Sequence, residues 1–309
     1  MAQARRPPAS LKRRPAPARG FVPPRAGGAS GTPDRVVLSH EIIVPRDHPI
    51  TAPEALAAVT GLAKLRIKDA MEKGAVWIQR GSRKPVRLRH ITTPLVGGDR
   101  LSIHYDSAIL DAKPAAATRV HDGKHYSVWH KPAGLLVEGS RYGDHATLDR
   151  QIAEHGEHHE VHLVHRLDME ASGLVVAAHS SGAMAKLSAL FVAREVDKRY
   201  RIQVRGDLRP RGTSGRIEQV LDGKAAVTEW FLEHYDVAAH VSTVQVRMLS
   251  GRYHQIRRHF AGIGCPVMGD PRYGQGNKNE DGLKLAAIGI AFKDPWTGDA
   301  MCFGECSAL

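Results

Sequence analysis

Residues 161 to 178 read VHLVHRLDMEASGLVVAA. VHLVHRL alternates as a strand, placing His162 and His165 on opposite faces. The aliphatic run Leu174–Ala178 reads as a second, buried strand. Between them stand Arg166, Leu167 and Asp168, then a turn of small residues. An acid at the exit of an apolar strand is placed to project into a cleft as a nucleophile or base. On position alone it serves equally well as a loop acid capping the Ser172–Gly173 turn.

Outward from this segment, short apolar stretches continue to the C-terminus: HYSVWHKP, KRYRIQVRG, AAVTEWFLEHY, VSTVQVRMLS and KLAAIGIAF. Helices are expected at ATLDRQIAEHG, GAMAKLSALFVARE and YHQIRRHFAGIG. Many strands with few helices indicate an α+β fold, a largely antiparallel mixed sheet with flanking helices, over residues 119–309. A second chemical cluster lies in GRYHQIRRHFAGIGCPVMGDPRYG, which joins Arg252, His254, Arg257, Arg258 and His259 to a terminal Gly-Asp-Pro-Arg-Tyr-Gly turn. A buried arginine beside a carboxylate keeps it ionised and oriented. The same residues could equally form a phosphate-contacting surface.

The 309 residues carry a net charge of +12, a balance that favours a polyanionic partner. That excess is confined to two regions, residues 1–35 and 62–105, each with a net +7. Residues 1–35 hold seven of the 18 prolines and read as a disordered basic tail. Residues 36–106 read as a small α/β module. APEALAAVTG and LAKLRIKDAMEKG are helices closed by Gly61 and Gly74, and AVWIQ, RKPVRLRHI and RLSIHY are strands. Lys64 and Lys68 share one face of the second helix with Arg66 beside them. Residues 107–118 read as a linker.

Several chemistries lack their minimal parts. No P-loop, G-x-S-x-G or H-E-x-x-H motif occurs, and nothing implies a nucleotide cofactor. His155, His158, His159, His162 and His165 crowd one run, but strand alternation and an intervening turn separate them, so no metal is expected. Cys265, Cys302 and Cys306 are too few to staple the chain and read as thiols of a reducing compartment. The N-terminal MAQARRPPASLKRRPAPARG lacks an apolar signal segment, and no apolar run approaches bilayer length. The expected address is the cytoplasm. No heptad argues for more than a monomer, and no obligate protein partner is readable.

Four motifs in order resemble the RluA family of RNA pseudouridine synthases. They are Lys131-Pro132-Ala133-Gly134, HRLDMEASGL (165–174), Lys198-Arg199-Tyr200 and Gly251 to Arg257 in the pattern Gly-Arg-x-His-Gln-Ile-Arg. The paired helices and basic hairpin of residues 36–106 are similar to the alpha-L RNA-binding module of ribosomal and synthetase proteins. The resemblance implies that Asp168 is the nucleophile attacking a flipped uridine, with Arg257 paired to it. Tyr200 would lie against the base and take part in removing its C5 proton, and Arg166 would fill the vacated stack. Arg252, His254 and Lys131, with Lys64, Arg66 and Lys68 of the module, would contact RNA, ribosomal ahead of transfer RNA. No metal or organic cofactor is implied. Three departures stand out: Ala171 and Tyr253 where the family usually has Thr, and Ala286 where it commonly has His. The competing expectation is a non-catalytic RNA-binding or ribosome-assembly factor on the same fold.

Overall fold

The computed structural model describes residues 35–46, 50–155, 160–274 and 281–306. The expected tail, apart from Arg35, lies outside them, as do His158 and His159. The N-terminal module is a four-stranded antiparallel sheet in the order β1-β4-β2-β3, formed by β1 (Val37–Ile43), β2 (Val76–Gln79), β3 (Val86–Arg87) and β4 (Arg100–Asp106). Helices α1 (Ala52–Thr60) and α2 (Lys64–Glu72) bury Leu56, Ile67 and Met71 in a core shared with Leu101 and Ile103. The α1 start is set by Glu54, whose carboxylate accepts the Thr51 amide at 3.2 Å, and its end by Gly61 at φ 70°.

Two sequence boundaries move. Arg35 Nε donates to the buried Asp106 carboxylate at 3.0 Å, so the folded region already includes residue 35. The expected linker begins with a helical turn, α3 (Ser107–Leu110), whose Leu110 is buried in the module core. The expected strand RKPVRLRHI shrinks to β3. Pro85 has no amide to give the ladder, and Arg87 and Arg89 turn their side chains to Asp144 beyond the module.

The second sheet has ten strands. Its main path runs β10-β11-β12-β9-β13-β8-β6-β5. The strands are β5 (Thr118–Asp122), β6 (Tyr126–Lys131), β7 (His162–Leu163), β8 (Ser172–Ala178), β9 (Asp197–Arg205), β10 (Ser214–Leu221), β11 (Lys224–Asp236), β12 (Val241–Met248), β13 (Leu285–Lys293) and β14 (Ala300–Gly304). Helices α4 (Leu148–Glu154), α5 (Ser181–Ala193) and α6 (Gln255–Gly262) flank it. The α+β expectation holds.

Among the described strands only β8 and β13 pair in parallel, in the middle of the sheet. Gly173 makes that seam possible. At φ 114° a Cβ would stand 2.2 Å from the Ala287 carbonyl oxygen, so no other residue fits without moving the strand.

The strand expected over VHLVHRL is only two residues long. His165 leaves the ladder because its ring accepts the Val176 amide at 3.0 Å, replacing a backbone partner with a side chain. The cysteine expectation also changes. Gly304 turns the chain at φ 76°, bringing the Cα atoms of Cys302 and Cys306 to 6.0 Å, and the two form a disulfide rather than two free thiols.

Candidate active site

The turn carrying Asp168 is fixed from beneath. Asp168 O accepts the Ala171 amide at 3.2 Å, and Met169 O accepts both the Gly134 amide at 2.8 Å and Lys131 Nζ at 3.1 Å. Lys131 also donates to Leu135 O and Pro132 O, at 2.8 and 3.0 Å, and is 0% exposed. Burial pushes its pKa down to about 8, against the pull of Asp168 and Glu170. Lys131 thus stands buried rather than at the surface where the expected RNA contact would place it. Its ammonium holds the Asp168 turn through three carbonyls.

Asp168 itself stays reachable. Its side chain is 22% exposed, and Oδ2 accepts Arg257 Nη1 at 3.0 Å. Arg257 lies on α6 and is 2% exposed. On its other side it is gripped by Asp270, with Nε to Oδ2 at 2.8 Å and Nη2 to Oδ1 at 2.9 Å. Burial opposes the guanidinium charge, but the bonds to Asp270 and then Asp168 outweigh it and hold the pKa above its ordinary value. Asp270 is likewise held below the usual carboxylate range. Burial works against its charge, while Arg257 and the amides of Tyr273 and Arg272 overcome that. A bidentate pair locks the arginine, leaving one nitrogen for the half-buried Asp168.

Helix α6 is docked by Gln255, whose side chain donates to Val227 O and Thr228 Oγ1, both at 2.9 Å, and accepts from Ser250 Oγ at 2.8 Å. His254 precedes it in the left-handed region at φ 51°. That backbone turns its ring toward the site. Nε2 lies 3.6 Å from Asp168 Oδ1, and Nδ1 lies 3.2 Å from the Tyr273 hydroxyl. Burial, reinforced by Arg257 and Arg272 and opposed by Asp168, pushes its pKa down to about 4. The ring is neutral at physiological pH and belongs to the carboxylate's surroundings rather than to an outer RNA face.

Tyr200 reaches the same place through the sheet. It pairs with Ala287, which pairs with Gly173, so β9 and β13 carry it to the strand that follows the Asp168 turn. Burial and the nearby Asp168 charge push its phenol pKa up, so it keeps its proton at neutral pH. Arg166 is exposed beside this turn. Arg252 is half-buried, its Nε donating to Ala225 O at 3.2 Å. The three departures fall at three kinds of position: Ala171 is buried in the core, Ala286 pairs with Ser172 across the parallel seam, and Tyr253 is exposed.

On the N-terminal module the cations divide. Lys64 and Arg66 are exposed on α2 but paired with Glu54 at 3.0 Å and Asp111 at 3.2 Å, while Lys68 is exposed on the same helix. The basic hairpin expected from the sequence is present as β2 and β3, although its individual cations were not among the expected RNA contacts. A groove of about 480 Å³ there is lined by Arg80, Arg83, Lys84, Arg87, Arg89 and His90. The module is joined to the larger sheet by Arg87 on Asp144 at 3.1 Å, by Trp77 Nε1 to Arg141 O at 3.1 Å and by the Asp144 amide to Lys73 O at 3.0 Å. Among the described residues no group of three or more potential metal ligands converges, and no helix is long and apolar enough to cross a membrane.

The chain is similar to several known proteins. The family described as RNA pseudouridylate synthase matches residues 125–262. An uncharacterised RNA pseudouridine synthase of Mycobacterium bovis is 32% identical over 281 residues, covering 79% of this chain and 86% of its own. The ribosomal large subunit pseudouridine synthase D of Pseudomonas aeruginosa is 34% identical over 171 residues, covering 50% of this chain and 52% of its own. The solved structure of human RNA pseudouridylate synthase domain containing 1 aligns with a TM-score of 0.53 at 23% identity, over 63% of this chain and 86% of that one, and shares the fold.

Proposed function

This chain belongs to the RNA pseudouridine synthase family, enzymes that isomerise uridine in RNA, and from that membership we propose that Asp168 is its nucleophile. The observation that supports this role is that Asp168 is kept partly exposed while a buried arginine, itself clamped by Asp270, bonds it at 3.0 Å, with Glu170 farther from the same nitrogen at 3.8 Å. Such a carboxylate is oriented by a fixed positive charge and open on one side.

In this reading a uridine is drawn out of its stack and set against Asp168, at a cost of a few kcal/mol. The Asp168 carboxylate attacks C1′ as the bond from N1 to C1′ breaks, the uracil turns, and C5 bonds to C1′ as the carboxylate leaves, free for another turnover. The C5 proton leaves to solvent and N1 gains one, so the product is an isomer. Tyr200 forms a wall for the base. Its protonated phenol favours packing against the uracil over removing the C5 proton. Arg166 enters the space the nucleotide leaves, and His254 shields the carboxylate. The chemistry calls for no cofactor.

Affinity comes from elsewhere on the chain. The alpha-L-like module presents Lys68 and the hairpin cations to phosphates, positioning the RNA while the catalytic sheet selects the base. The substrate is ribosomal RNA in this proposal, supported by the name of the Pseudomonas relative. We take the enzyme as a cytoplasmic monomer. The pairing of a buried arginine with an exposed acid weighs against a non-catalytic assembly factor, which has no use for it.

Mapping pseudouridines in cellular RNA with and without the gene tests this directly. One or more ribosomal uridines should lose modification when the gene is deleted. An unchanged map in every RNA class would overturn the proposal.

A further inference from the structure

Tyr253 stands where the family usually has threonine, and its ring is held on two sides. One face lies against His254, with centroids 3.7 Å apart and planes at 21°. The hydroxyl accepts Arg272 Nη1 at 2.9 Å. The Arg272 guanidinium carbon is 5.6 Å from the ring centre, so the arginine that bonds the hydroxyl also lies within cation–π range of the ring. The residue is nevertheless 46% exposed. An aromatic ring with one face covered, its edge tethered and its outer face open is a stacking platform whose conformational entropy is already lost.

Its position says what stacks there. The imidazole beneath it is 3.6 Å from the Asp168 carboxylate. A flat group on the outer face of Tyr253 would lie two stacking steps, about 7 Å, beyond that imidazole. Arg272 supplies a cation at the ring's edge, suited to the phosphate beside a stacked base. Single-stranded bases are commonly held on aromatic side chains, and such stacking is sequence-tolerant because every base has a π-face.

We propose that Tyr253 and Arg272 form a second base-binding subsite, holding the nucleotide next to the target uridine by stacking on the open face of Tyr253. The subsite rests on the isomerase reading for its substrate, but not for its geometry. It keeps the RNA splayed at the point where the target leaves the stack, and it makes the enzyme responsive to whether a base is present at the neighbouring position.

Two measurements test it. The first follows tritium release from [5-3H]uridine-labelled total RNA of cells lacking this protein, as a function of RNA concentration. Tyr253→Thr should raise the half-saturating concentration at least fivefold, within the roughly 5- to 150-fold expected for one stacked base, with the loss falling on half-saturation more than on turnover. Tyr253→Phe keeps the ring but loses the tether, and should show a smaller rise. Wild-type half-saturation in the threonine variant, or a loss confined to turnover, overturns the subsite.

The second uses a short single-stranded oligoribonucleotide with 2-aminopurine beside a uridine, tested on either side. Its fluorescence should be quenched on binding the wild type and Tyr253→Phe, and much less by Tyr253→Thr. Equal quenching by all three also overturns the proposal. If the wild type releases no tritium, the isomerase reading fails, and the quenching series alone decides whether a base sits on Tyr253.

Discussion

Asp270 grips Arg257 through two bonds of 2.8 and 2.9 Å on the side of the guanidinium turned away from Asp168. The Asp270 side chain is fully buried, so its only purpose visible in the structure is to fix that arginine and the turn that follows. Asp270 is thus a positioning residue behind the Asp168 carboxylate. Asp270→Asn keeps the shape and removes the charge. It should lower kcat by about 100-fold, the scale of misplacing a reacting group by an ångström, with RNA affinity changed less than twofold. Asp270→Ala strands a buried cation and should cost about 3–5 kcal/mol in urea unfolding.

Lys131→Met separates two accounts of one lysine. If its ammonium serves three carbonyls, its loss leaves buried acceptors unpaired and should destabilise the protein by about 2–4 kcal/mol. The slope of log affinity against log salt should not move. A flatter slope with intact stability would restore Lys131 to the RNA surface.

His165 makes stability depend on acid. Burial pushes its pKa down to about 3 from 6.5, and its ring accepts the Val176 amide as a neutral group. Because the folded pKa lies below the unfolded one, the contribution is complete above about pH 6.5 and is lost as pH falls toward 3. Between pH 6.5 and 4 that loss is about 3 kcal/mol. His165→Gln retains an acceptor without a titrating proton. Its unfolding free energy should fall less steeply than the wild type's over this range, by urea titration at each pH.

The hairpin and helix cations make different forecasts. Arg83 and Lys84 line an open groove, whereas Lys64 and Arg66 already face carboxylates. Replacing Arg83 and Lys84 with Gln should reduce the magnitude of the salt slope by about 1.5, roughly 0.7–0.9 for each lost phosphate contact. The same change at Lys64 and Arg66 should reduce it less. Filter binding across a salt series measures both.

The sequence made the α+β class, most strands and the helices of the larger sheet legible, because alternation and helix stops are local signals. Asp168 and Arg257 stood out through motif order. What escaped was long-range. Asp270 appeared only as part of a turn, since nothing local says that its carboxylate meets an arginine 13 residues earlier. Lys131 looked like a phosphate ligand because its charge is visible and its burial is not. His165 ended a strand by accepting an amide from the next one. Cys302 and Cys306 met because Gly304 turns the chain between them.

Single-turnover tritium release by wild type and Asp168→Asn, with enzyme in excess over [5-3H]uridine-labelled RNA from cells lacking the protein, bears on the central claim most directly. The wild type should release tritium as C5 exchanges its proton for C1′, and the asparagine variant should bind the same RNA while releasing none above background. Release by the variant at the wild-type rate would contradict the assignment of Asp168 as the group that does the chemistry.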